Sequence, residues 1–377
     1  MKVVTAIDSF KGSMTSLEAG NAVAEGVHRV DPDAEVIVRP LADGGEGTVE
    51  ALVQGMGGVF RKVTVTGPAE KPVGCVYGEI PETKTAVIEM AGASGITLVS
   101  GKEKNPLHTT TYGLGEVILD AAKRGLRRFI VGIGGSATND GGAGMLQALG
   151  FDFLEKDGRQ IAHGCKGLKD LAEIKADHAA PELKGCQFLI ACDVTNPLCG
   201  ENGCSAVYGP QKGATPDMVR DMDGWLKAYA ETAKKAFPDA APDYPGSGAA
   251  GGLGFAFAAF LKGELKSGIS IVLEETHLED YLKDADVVVT GEGRLDFQTA
   301  MGKAPIGVAK LAKKHGAKVI AFAGSVTDDA SACNENGIDA FFPVLRRICT
   351  LAEAMKPENA KKNLTDTSEQ VFRLLRN

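Results

Sequence analysis

Several loops of this 377-residue chain combine glycine with acids, hydroxyls and amides, the residue types that position phosphate groups and metal ions. The densest is GIGGSATNDGG at residues 132–142, which follows the short apolar run Phe129–Val131. Glycine costs about 0.5–1 kcal/mol relative to alanine inside regular structure, so this density indicates left-handed backbone or a backbone that approaches a ligand closely. Three interpretations follow: a dinucleotide-binding loop, a phosphate cradle of another kind, or a plain connection.

Comparable loops follow the other predicted strands. They supply Asp8, Ser9 and Lys11 in DSFKGS, Asp43 and Glu46 in DGGEGT, Asp193 and Asn196 in DVTNP, and Glu292, Arg294 and Asp296 in TGEGRLD. Turn and helix-capping preferences explain any one of these loops, but capping needs one polar residue and not four. Ligands of open parallel sheets bind outside the carboxyl ends of the strands. The repetition therefore predicts one shared site.

The residue types in these loops suit phosphoryl transfer. Backbone N–H groups of glycine loops bind phosphate oxygens, and carboxylates in numbers suit Mg²⁺, which completes its shell with water and phosphate oxygens. Lys11, Lys212 and Lys303 each lie beside a glycine, where they could neutralise phosphoryl charge. The sequence lacks the P-loop pattern G-x-x-x-x-G-K-[ST], so separate loops would have to position the phosphates.

The spacing of apolar residues around the loops predicts α/β structure. Predicted strands at Val3–Ile7 and Glu35–Pro40 alternate with helices at Leu17–Val30 and Val49–Gln54, which indicates a parallel sheet with helical crossovers. Between residues 59 and 90, short alternating runs favour an antiparallel or mixed sheet instead. The strand–helix alternation returns at Val287 and continues to the end of the chain.

We therefore predict two α/β domains with the active site in the cleft between them. One is a discontinuous, doubly wound parallel-sheet domain of flavodoxin or Rossmann type, residues 1–58 and 270–377. The other is an inserted α/β domain with a mixed sheet, residues 59–269. A chain of 377 residues exceeds the size at which a single core usually stops growing, which agrees with two domains.

Composition argues against several classes of protein. The net charge of -8 and the pI near 5.4 leave no basic footprint for nucleic acid or an acidic membrane. The longest apolar stretch, Gly252–Leu261, has about half the length of a membrane span, and the N-terminal residues lack the apolar length of a signal peptide. The eight cysteines include no C-x-x-C pair, which predicts reduced thiols and a cytoplasmic protein.

Two other functions stay open at this point. Residues 132–137 match G-x-G-x-x-A, a variant of the dinucleotide fingerprint, and Asp152 and Asp157 lie near the spacing of a ribose-binding acid. That pattern favours an NAD(P)-dependent oxidoreductase of a small hydroxy acid, although Thr138–Gly142 follows the glycines where a helix should open. A non-catalytic two-lobed metabolite sensor would share the architecture, but the surplus of acids beside glycine favours catalysis.

Taken together, the loops resemble those of the class I glycerate kinases, a bacterial family with its own fold. The matching stretches are DSFKGS (Asp8–Ser13), PLADGGEGT (Pro40–Thr48), GGSATNDGGAG (Gly134–Gly144), CDVTNPLCG (Cys192–Gly200), GPQKG (Gly209–Gly213), GAAGGLG (Gly248–Gly254), TGEGRLDFQT (Thr290–Thr299) and GKAPIGVA (Gly302–Ala309). They span nearly the whole chain in order, which makes the resemblance far more specific than any one glycine pattern.

The resemblance implies a cytoplasmic enzyme of glycerate metabolism with two α/β domains and a site between them. It implies transfer of the ATP γ-phosphoryl group to D-glycerate, with Mg²⁺ and with ATP and glycerate as the small-molecule partners. The product implied is 2-phosphoglycerate, and 3-phosphoglycerate is the alternative. We expect no nucleic-acid or membrane partner and either a monomer or a homodimer.

Roles for individual residues follow as hypotheses. Asp193 is the first candidate for the general base, because a rigid turn would fix its direction, and Asp296 is the second. Lys11 is a further catalytic candidate, and Lys11 and Arg294 would hold the glycerate carboxylate. The remaining candidates are Asp8, Ser9 and Asn196 for substrate, Asp43, Glu46 and Glu292 for the metal, and Gly134, Gly135, Ser136, Asn139, Asp140, Gly141, Gly142, Lys212 and Lys303 for phosphate or nucleotide.

Overall fold

The computed structural model describes residues 1–45 and 47–376 as an α/β protein. The strands are β1 (Lys2–Thr5), β2 (Glu35–Val38), β3 (Val59–Thr66), β4 (Pro72–Ile80), β5 (Thr85–Glu89), β6 (Arg128–Gly132), β7 (Asp152–Leu154), β8 (Glu173–Lys175), β9 (Gln187–Ala191), β10 (Glu264–Lys266), β11 (Val287–Leu295), β12 (Lys318–Val326) and β13 (Ala340–Pro343). The helices are α1 (Ser16–His28), α2 (Thr48–Gly55), α3 (Ala91–Ser94), α4 (Tyr112–Lys123), α5 (Ala143–Ala148), α6 (Cys204–Tyr208), α7 (Pro216–Ala236), α8 (Ala249–Leu261), α9 (Gly268–Glu275), α10 (Leu278–Leu282), α11 (Phe297–Ala300), α12 (Ala304–Lys314), α13 (Ala332–Glu335), α14 (Leu351–Ala354) and α15 (Pro357–Arg376).

The chain divides into two compact units, which are described separately. Unit 1 comprises Met1–Asp43, Glu50–Met56 and Ile269–Asn377, and unit 2 comprises Gly44–Val49 and Gly57–Gly268. Both the start and the end of the chain therefore belong to unit 1.

Unit 1 contains a parallel sheet with the strand order β13-β12-β11-β1-β2. If its strands are counted in chain order within the unit, the spatial order is 2-1-3-4-5, which is the flavodoxin-like form of the doubly wound fold. The predicted doubly wound parallel sheet is therefore confirmed.

Both faces of this sheet are buried. Val3, Val289 and Phe322 point into a core that α1 and α15 complete with residues such as Val23 and Leu364. Strand neighbours of the opposite orientation, Val4, Val288 and Val319, are fully buried as well. Parallel sheets need such cover on both faces, which explains the continuous valine and isoleucine runs of these strands.

Strand β11 is longer than predicted, and this corrects one expectation. We expected a loop from Thr290, but the strand continues to Leu295, so Glu292 and Arg294 lie on it. The parallel ladder with β12 carries on through this stretch, where Glu292 lies opposite Ala323 and Arg294 opposite Ser325. Tertiary pairing thus overrides the low strand propensity of glycine.

Unit 2 contains a mixed sheet with the order β10-β9-β6-β5-β4-β3. The pairs from β10 to β5 are parallel, whereas β3 and β4, and β4 and β5, are antiparallel. The mixed sheet expected between residues 59 and 90 is confirmed. A two-stranded antiparallel ribbon of β7 and β8 completes the strands of this unit.

Segment α8 begins irregularly. Ala250, Gly251 and Gly252 adopt left-handed backbone, with φ of 52°, 71° and 93°, and regular helix follows them. A Cβ atom on Gly251 would lie 2.1 Å from the carbonyl oxygen of Thr138. Glycine is therefore required here because the segment packs against the loop that contains Thr138.

The remaining global features concern cysteines and membranes. All eight cysteines are free thiols in this structure. Across residues 1–45 and 47–376, no helix combines the length and apolar character that a membrane crossing would need.

Candidate active site

The topological switch point of the unit 1 sheet lies between β1 and β11. From β1 the chain continues to β2 on one side of this point, and from β11 it continues to β12 on the other side. Doubly wound folds bind ligands in the crevice at this point. Asp8 follows β1 here, and its backbone N–H donates to the carbonyl oxygen of Gly291 on β11 (2.9 Å). The loop after β1 and the end of β11 are thereby held side by side.

A pocket of about 740 Å³ opens at this switch point, and residues of unit 1 line it. It brings together many of the residues that the sequence singled out: Asp8, Ser9, Lys11, Asp43, Glu292, Arg294, Asp296 and Lys303. Within unit 1, residues from several of the strand-end loops therefore line one pocket, whereas the loops at 134–142 and 193–197 belong to unit 2. Glu46 lies outside the described residues.

Asp8 is a buried acid that lies close to two other acids, Asp43 and Glu292. Its side chain is 3% exposed, and it accepts a hydrogen bond from the backbone N–H of Ser9 (2.7 Å). Burial raises the pKa of Asp8 to about 7, and the Asp43 and Glu292 charges add to the rise, whereas Lys11 opposes it. A carboxyl group with a pKa near neutrality is a typical feature of functional sites.

Glu292 is half-buried on β11 and is oriented by a hydroxyl. The Oγ1 of Thr299 donates to Glu292 Oε1 (2.6 Å). Burial raises the pKa of Glu292, and the Thr299 hydrogen bond and the charge of Lys303 oppose that rise. Its direction is therefore fixed by its neighbours, as expected for a ligand-binding carboxylate.

Asp296, in contrast, has a structural task. Its Oδ1 accepts from the backbone N–H of Thr299 (3.1 Å) and caps α11. Its carboxylate also lies 3.3 Å from Arg294 Nε and 4.0 Å from Lys303 Nζ. These contacts orient two cations toward the pocket, and the Arg294 side chain is still 63% exposed. Asp296 therefore presents a pair of cations to any anion that enters.

The chemistry of this donor set fits Mg²⁺. Asp8, Asp43 and Glu292 are close enough for the last two to raise the pKa of the first, and all three offer carboxylate oxygens. Within the described residues, no group of three or more His, Cys, Asp and Glu side chains is spaced as a complete ligand set. Mg²⁺ commonly uses one or two carboxylates and takes its other ligands from water and phosphate.

In unit 2, the loop from Gly134 to Gly142 has an exposed and a buried part. Gly134 and Gly135 are exposed, whereas the following residues are buried. The buried Lys212 ammonium donates to Ser136 Oγ (2.9 Å) and to the Thr138 carbonyl (2.6 Å). Burial lowers the pKa of Lys212 to about 8. Lys212 thus binds the loop itself.

The buried part of the loop is held by Asp140. Its carboxylate accepts from the backbone N–H and the hydroxyl of Thr111 (2.8 and 2.9 Å) and from the N–H groups of Gly142 and Gly144 (3.1 and 3.3 Å). Burial raises the pKa of Asp140, and these hydrogen bonds oppose the rise. A Cβ on Gly142 would lie 2.4 Å from Ala256 Cβ, so packing by itself requires glycine there.

Gly141 and Asn139 are likewise used within the protein. A Cβ on Gly141 would lie 2.7 Å from Tyr229 Cε1. Asn139 Nδ2 donates to Ser205 Oγ (2.8 Å), while its buried Oδ1 has no hydrogen-bond partner. The glycines at 141 and 142 therefore have a packing explanation, and Gly134 and Gly135 are the members of the loop that solvent reaches.

Asp193 and Asn196 follow β9 in unit 2. Asp193 is exposed, and its Oδ1 accepts from the backbone N–H of Gly268 (3.1 Å). Asn196 donates to the carbonyl of Asn202 (2.8 Å) and accepts from the Tyr208 hydroxyl (2.7 Å). The turn expected after β9 is thus held by side-chain hydrogen bonds. The structure assigns these two residues to unit 2 and the acids around Asp8 to unit 1.

Several pocket residues were missed from the sequence. Ser13, Gln298, Ser325 and Asn363 add polar groups, and Leu345, Leu351 and Met355 form an apolar wall. Ser13 lies within the quoted stretch DSFKGS and Gln298 within TGEGRLDFQT, so both could have been found there. The segment from Val344 to Met355 carries no glycine–acid pattern, so nothing in its local sequence pointed to a site.

Comparison with known proteins gives a consistent result. The model of the glycerate kinase family matches residues 3–376. A glycerate kinase from Haemophilus influenzae is 47% identical over 375 residues, covering 100% of this chain and 99% of the relative. A glycerate 2-kinase from Escherichia coli K12 is 49% identical over 356 residues, covering 94% and 93%. A crystal structure described as a candidate glycerate kinase 2 from Salmonella typhimurium LT2 superposes with a TM-score of 0.92 at 46% identity, covering 100% of this chain and 98% of that one.

Proposed function

The chain belongs to the glycerate kinase family, and on that premise we propose that it transfers the γ-phosphoryl group of ATP to D-glycerate and forms 2-phosphoglycerate. The observation that carries the proposal is the similarity along the full length to proteins named glycerate kinase. The name of the Escherichia coli relative, glycerate 2-kinase, favours the 2-phosphate over the 3-phosphate.

The charges in the unit 1 pocket support a phosphoryl acceptor that is an acid. Lys11 and Arg294 line the pocket with exposed cationic side chains, and a guanidinium can hold a carboxylate through two parallel hydrogen bonds. Lys303 adds a third cation, which would stabilise the phosphoryl group. Such placement of charge, more than covalent chemistry by the protein, is what phosphoryl transfer requires.

The chemical step needs a base for the glycerate hydroxyl. As the proton leaves the 2-hydroxyl, its oxygen forms a bond to the γ-phosphorus, the bond from that phosphorus to the β,γ-bridging oxygen breaks, and ADP leaves with the electron pair. Asp193 is the proposed base because Gly268 fixes the direction of its carboxylate and an exposed carboxylate can pass the proton to water.

Mg²⁺ is the proposed metal, and Asp43 and Glu292 are the described residues that would hold it. When bound, it would neutralise charge on the β- and γ-phosphate oxygens. Asp8 stands next to both acids, and it can take up or release a proton as the charge of the site changes. Gly134 and Gly135, the exposed residues of the loop, remain the proposed contacts of unit 2 with phosphate.

The experiment that tests this function is a coupled assay of ADP release with Mg·ATP and D-glycerate, followed by NMR identification of the product. We expect turnover that depends on both substrates and a phosphorus resonance coupled to the proton on carbon 2. L-Glycerate is the matched control, because it has the same charge and size. Coupling to the protons on carbon 3 would identify 3-phosphoglycerate, and ADP release without D-glycerate would contradict the proposed acceptor.

A further inference from the structure

The pocket of unit 1 has a second half that the charged residues do not explain. Leu345, Leu351 and Met355 line it, and they are 45%, 76% and 37% exposed. Scattered exposed apolar residues are ordinary on protein surfaces, but here three of them share one wall of a pocket. Clustered apolar exposure of this kind marks a binding surface.

This apolar wall is continuous with the charged half. A Cβ atom on Gly12 would lie 3.0 Å from Met355 Cε, so the methionine packs against the loop that carries Lys11. Phe10 of the same loop is buried and also lines the pocket. One ligand could therefore contact the apolar wall at one end and the cations at the other.

Glycerate cannot be the occupant of the apolar half. It consists of a carboxylate and two hydroxyls on a short carbon chain, and each of these polar groups would lose hydration against leucine and methionine side chains without gaining a partner. The triphosphate of a nucleotide is excluded for the same reason. Of the two proposed substrates, only the heterocyclic base of ATP offers a flat apolar surface to this wall.

We propose that the half of the pocket lined by Leu345, Leu351, Met355 and Asn363 binds the purine base of the nucleotide, so that unit 1 is the nucleotide-binding unit. The inference rests on the proposed use of ATP as phosphoryl donor. The base lies against the apolar side chains, and the triphosphate extends toward Lys303 in the same pocket, which leaves Lys11 and Arg294 to the glycerate carboxylate.

Asn363 supplies the polar group that such a site needs for selectivity. Its half-buried side chain lines the pocket. A carboxamide offers one acceptor and two donors, which matches the adjacent amino group and ring nitrogen of adenine. Guanine presents acceptors at the same edge, so an asparagine in this position favours ATP over GTP.

The test compares ATP with inorganic tripolyphosphate, which has the phosphates but no base. Affinities of both are measured by calorimetry, without glycerate, for the wild-type protein, Leu351→Asn and Ile348→Asn. Ile348 is the matched control, because it is fully exposed on the same segment and is not among the residues that line the pocket. Both substitutions are neutral and lie on the surface, so they preserve charge and fold.

We expect Leu351→Asn to weaken ATP binding about tenfold through lost apolar contact and to leave tripolyphosphate binding unchanged. Ile348→Asn should change neither. An equal loss for both ligands, or no loss for ATP, would overturn the inference. Asn363→Ala should in addition reduce the preference for ATP over GTP about tenfold.

The same measurements separate this inference from the proposed function, because calorimetry does not depend on turnover. A wild-type protein that binds ATP through Leu351 but does not phosphorylate glycerate would disprove the acceptor and leave the base site standing. A protein that phosphorylates glycerate from ATP while Leu351→Asn binds ATP normally would keep the function and move the base elsewhere.

Discussion

The unit 1 pocket and the glycine loop of unit 2 both contain the glycine and acidic residues that predicted a site, but these residues have different surroundings in the two units. Around Asp8, acids crowd together, and burial with neighbouring charge raises the pKa of Asp8 to about 7. Around Asp140, an equally buried acid receives four hydrogen bonds from Thr111, Gly142 and Gly144. In the first arrangement, neighbouring acids repel one another, and a bound cation would reduce that repulsion. In the second, the hydrogen bonds of the carboxylate hold a loop in place.

The comparison separates two meanings of a glycine–acid motif. At Gly141 and Gly142 a side chain would meet Tyr229 or Ala256, so the motif reflects packing there. At the end of β11, Glu292 and Arg294 line an open pocket, so the same composition leaves polar side chains accessible there. Burial and hydrogen-bond satisfaction, and not sequence, distinguish the two cases.

The largest effect we expect concerns the general base. Asp193→Asn should lower kcat by roughly 10²–10⁴-fold, because the amide cannot accept the hydroxyl proton. Steady-state kinetics with Mg·ATP and D-glycerate measures this, and Asp8→Asn in unit 1 is the comparison variant. If Asp8→Asn loses the turnover and Asp193→Asn retains it, the base belongs to unit 1.

Next in size is the stability of the unit 2 loop. Asp140→Asn should lower the free energy of unfolding by about 3 kcal/mol, because the new amide group faces backbone donors that then lack an acceptor. Urea unfolding followed by circular dichroism measures the change. Asp177→Asn, an exposed acid of the same unit, should leave the unfolding midpoint unchanged. Equal midpoints for the two variants would show that Asp140 does not hold the loop.

The smallest effect we expect is that Asp8→Asn, in unit 1, becomes more stable relative to the wild-type protein as the pH rises. The native pKa of Asp8, about 7, lies above the unfolded value near 3.8, so the native state binds more protons between these values and the wild-type protein loses stability as pH rises through them. Asp8→Asn removes that dependence. Its unfolding free energy relative to wild type should therefore rise by about 2 kcal/mol from pH 5 to pH 8. A difference that is constant with pH would contradict the raised pKa.

Much of the fold was predictable because apolar periodicity is local information. The apolar pattern of Val3–Ile7 and of the helix after it predicted a parallel sheet, and the alternation after Val59 predicted a mixed sheet. The extension of β11 through Glu292 was not predictable, because it depends on pairing with β12, residues distant in sequence. Likewise, the kink at Ala250–Gly252 depends on the loop against which it packs.

The residues that line the unit 1 pocket were predictable where they follow strand ends. Asp8, Glu292 and Arg294 were found in this way and line one pocket. Leu351 and Asn363 were not found, because the short helix α14 and the helix α15 bring them to the pocket from a segment without turn or acid patterns. A pocket wall made of apolar and amide residues can be recognised only once the fold has brought those residues together.

The strand order of unit 1 also governs how the chain can fold while it is being synthesised. Strand β1 pairs with β11, so Val3 cannot make its pairing with Val287 until β11 has been synthesised. Almost all of unit 2 is translated after β1 and before β11. At about 5–20 residues per second, the ribosome needs some tens of seconds for that stretch. Unit 2 can form its core during this interval, while the apolar N-terminal strand remains without its central partner. The nascent chain is therefore most exposed to aggregation before residue 287 emerges.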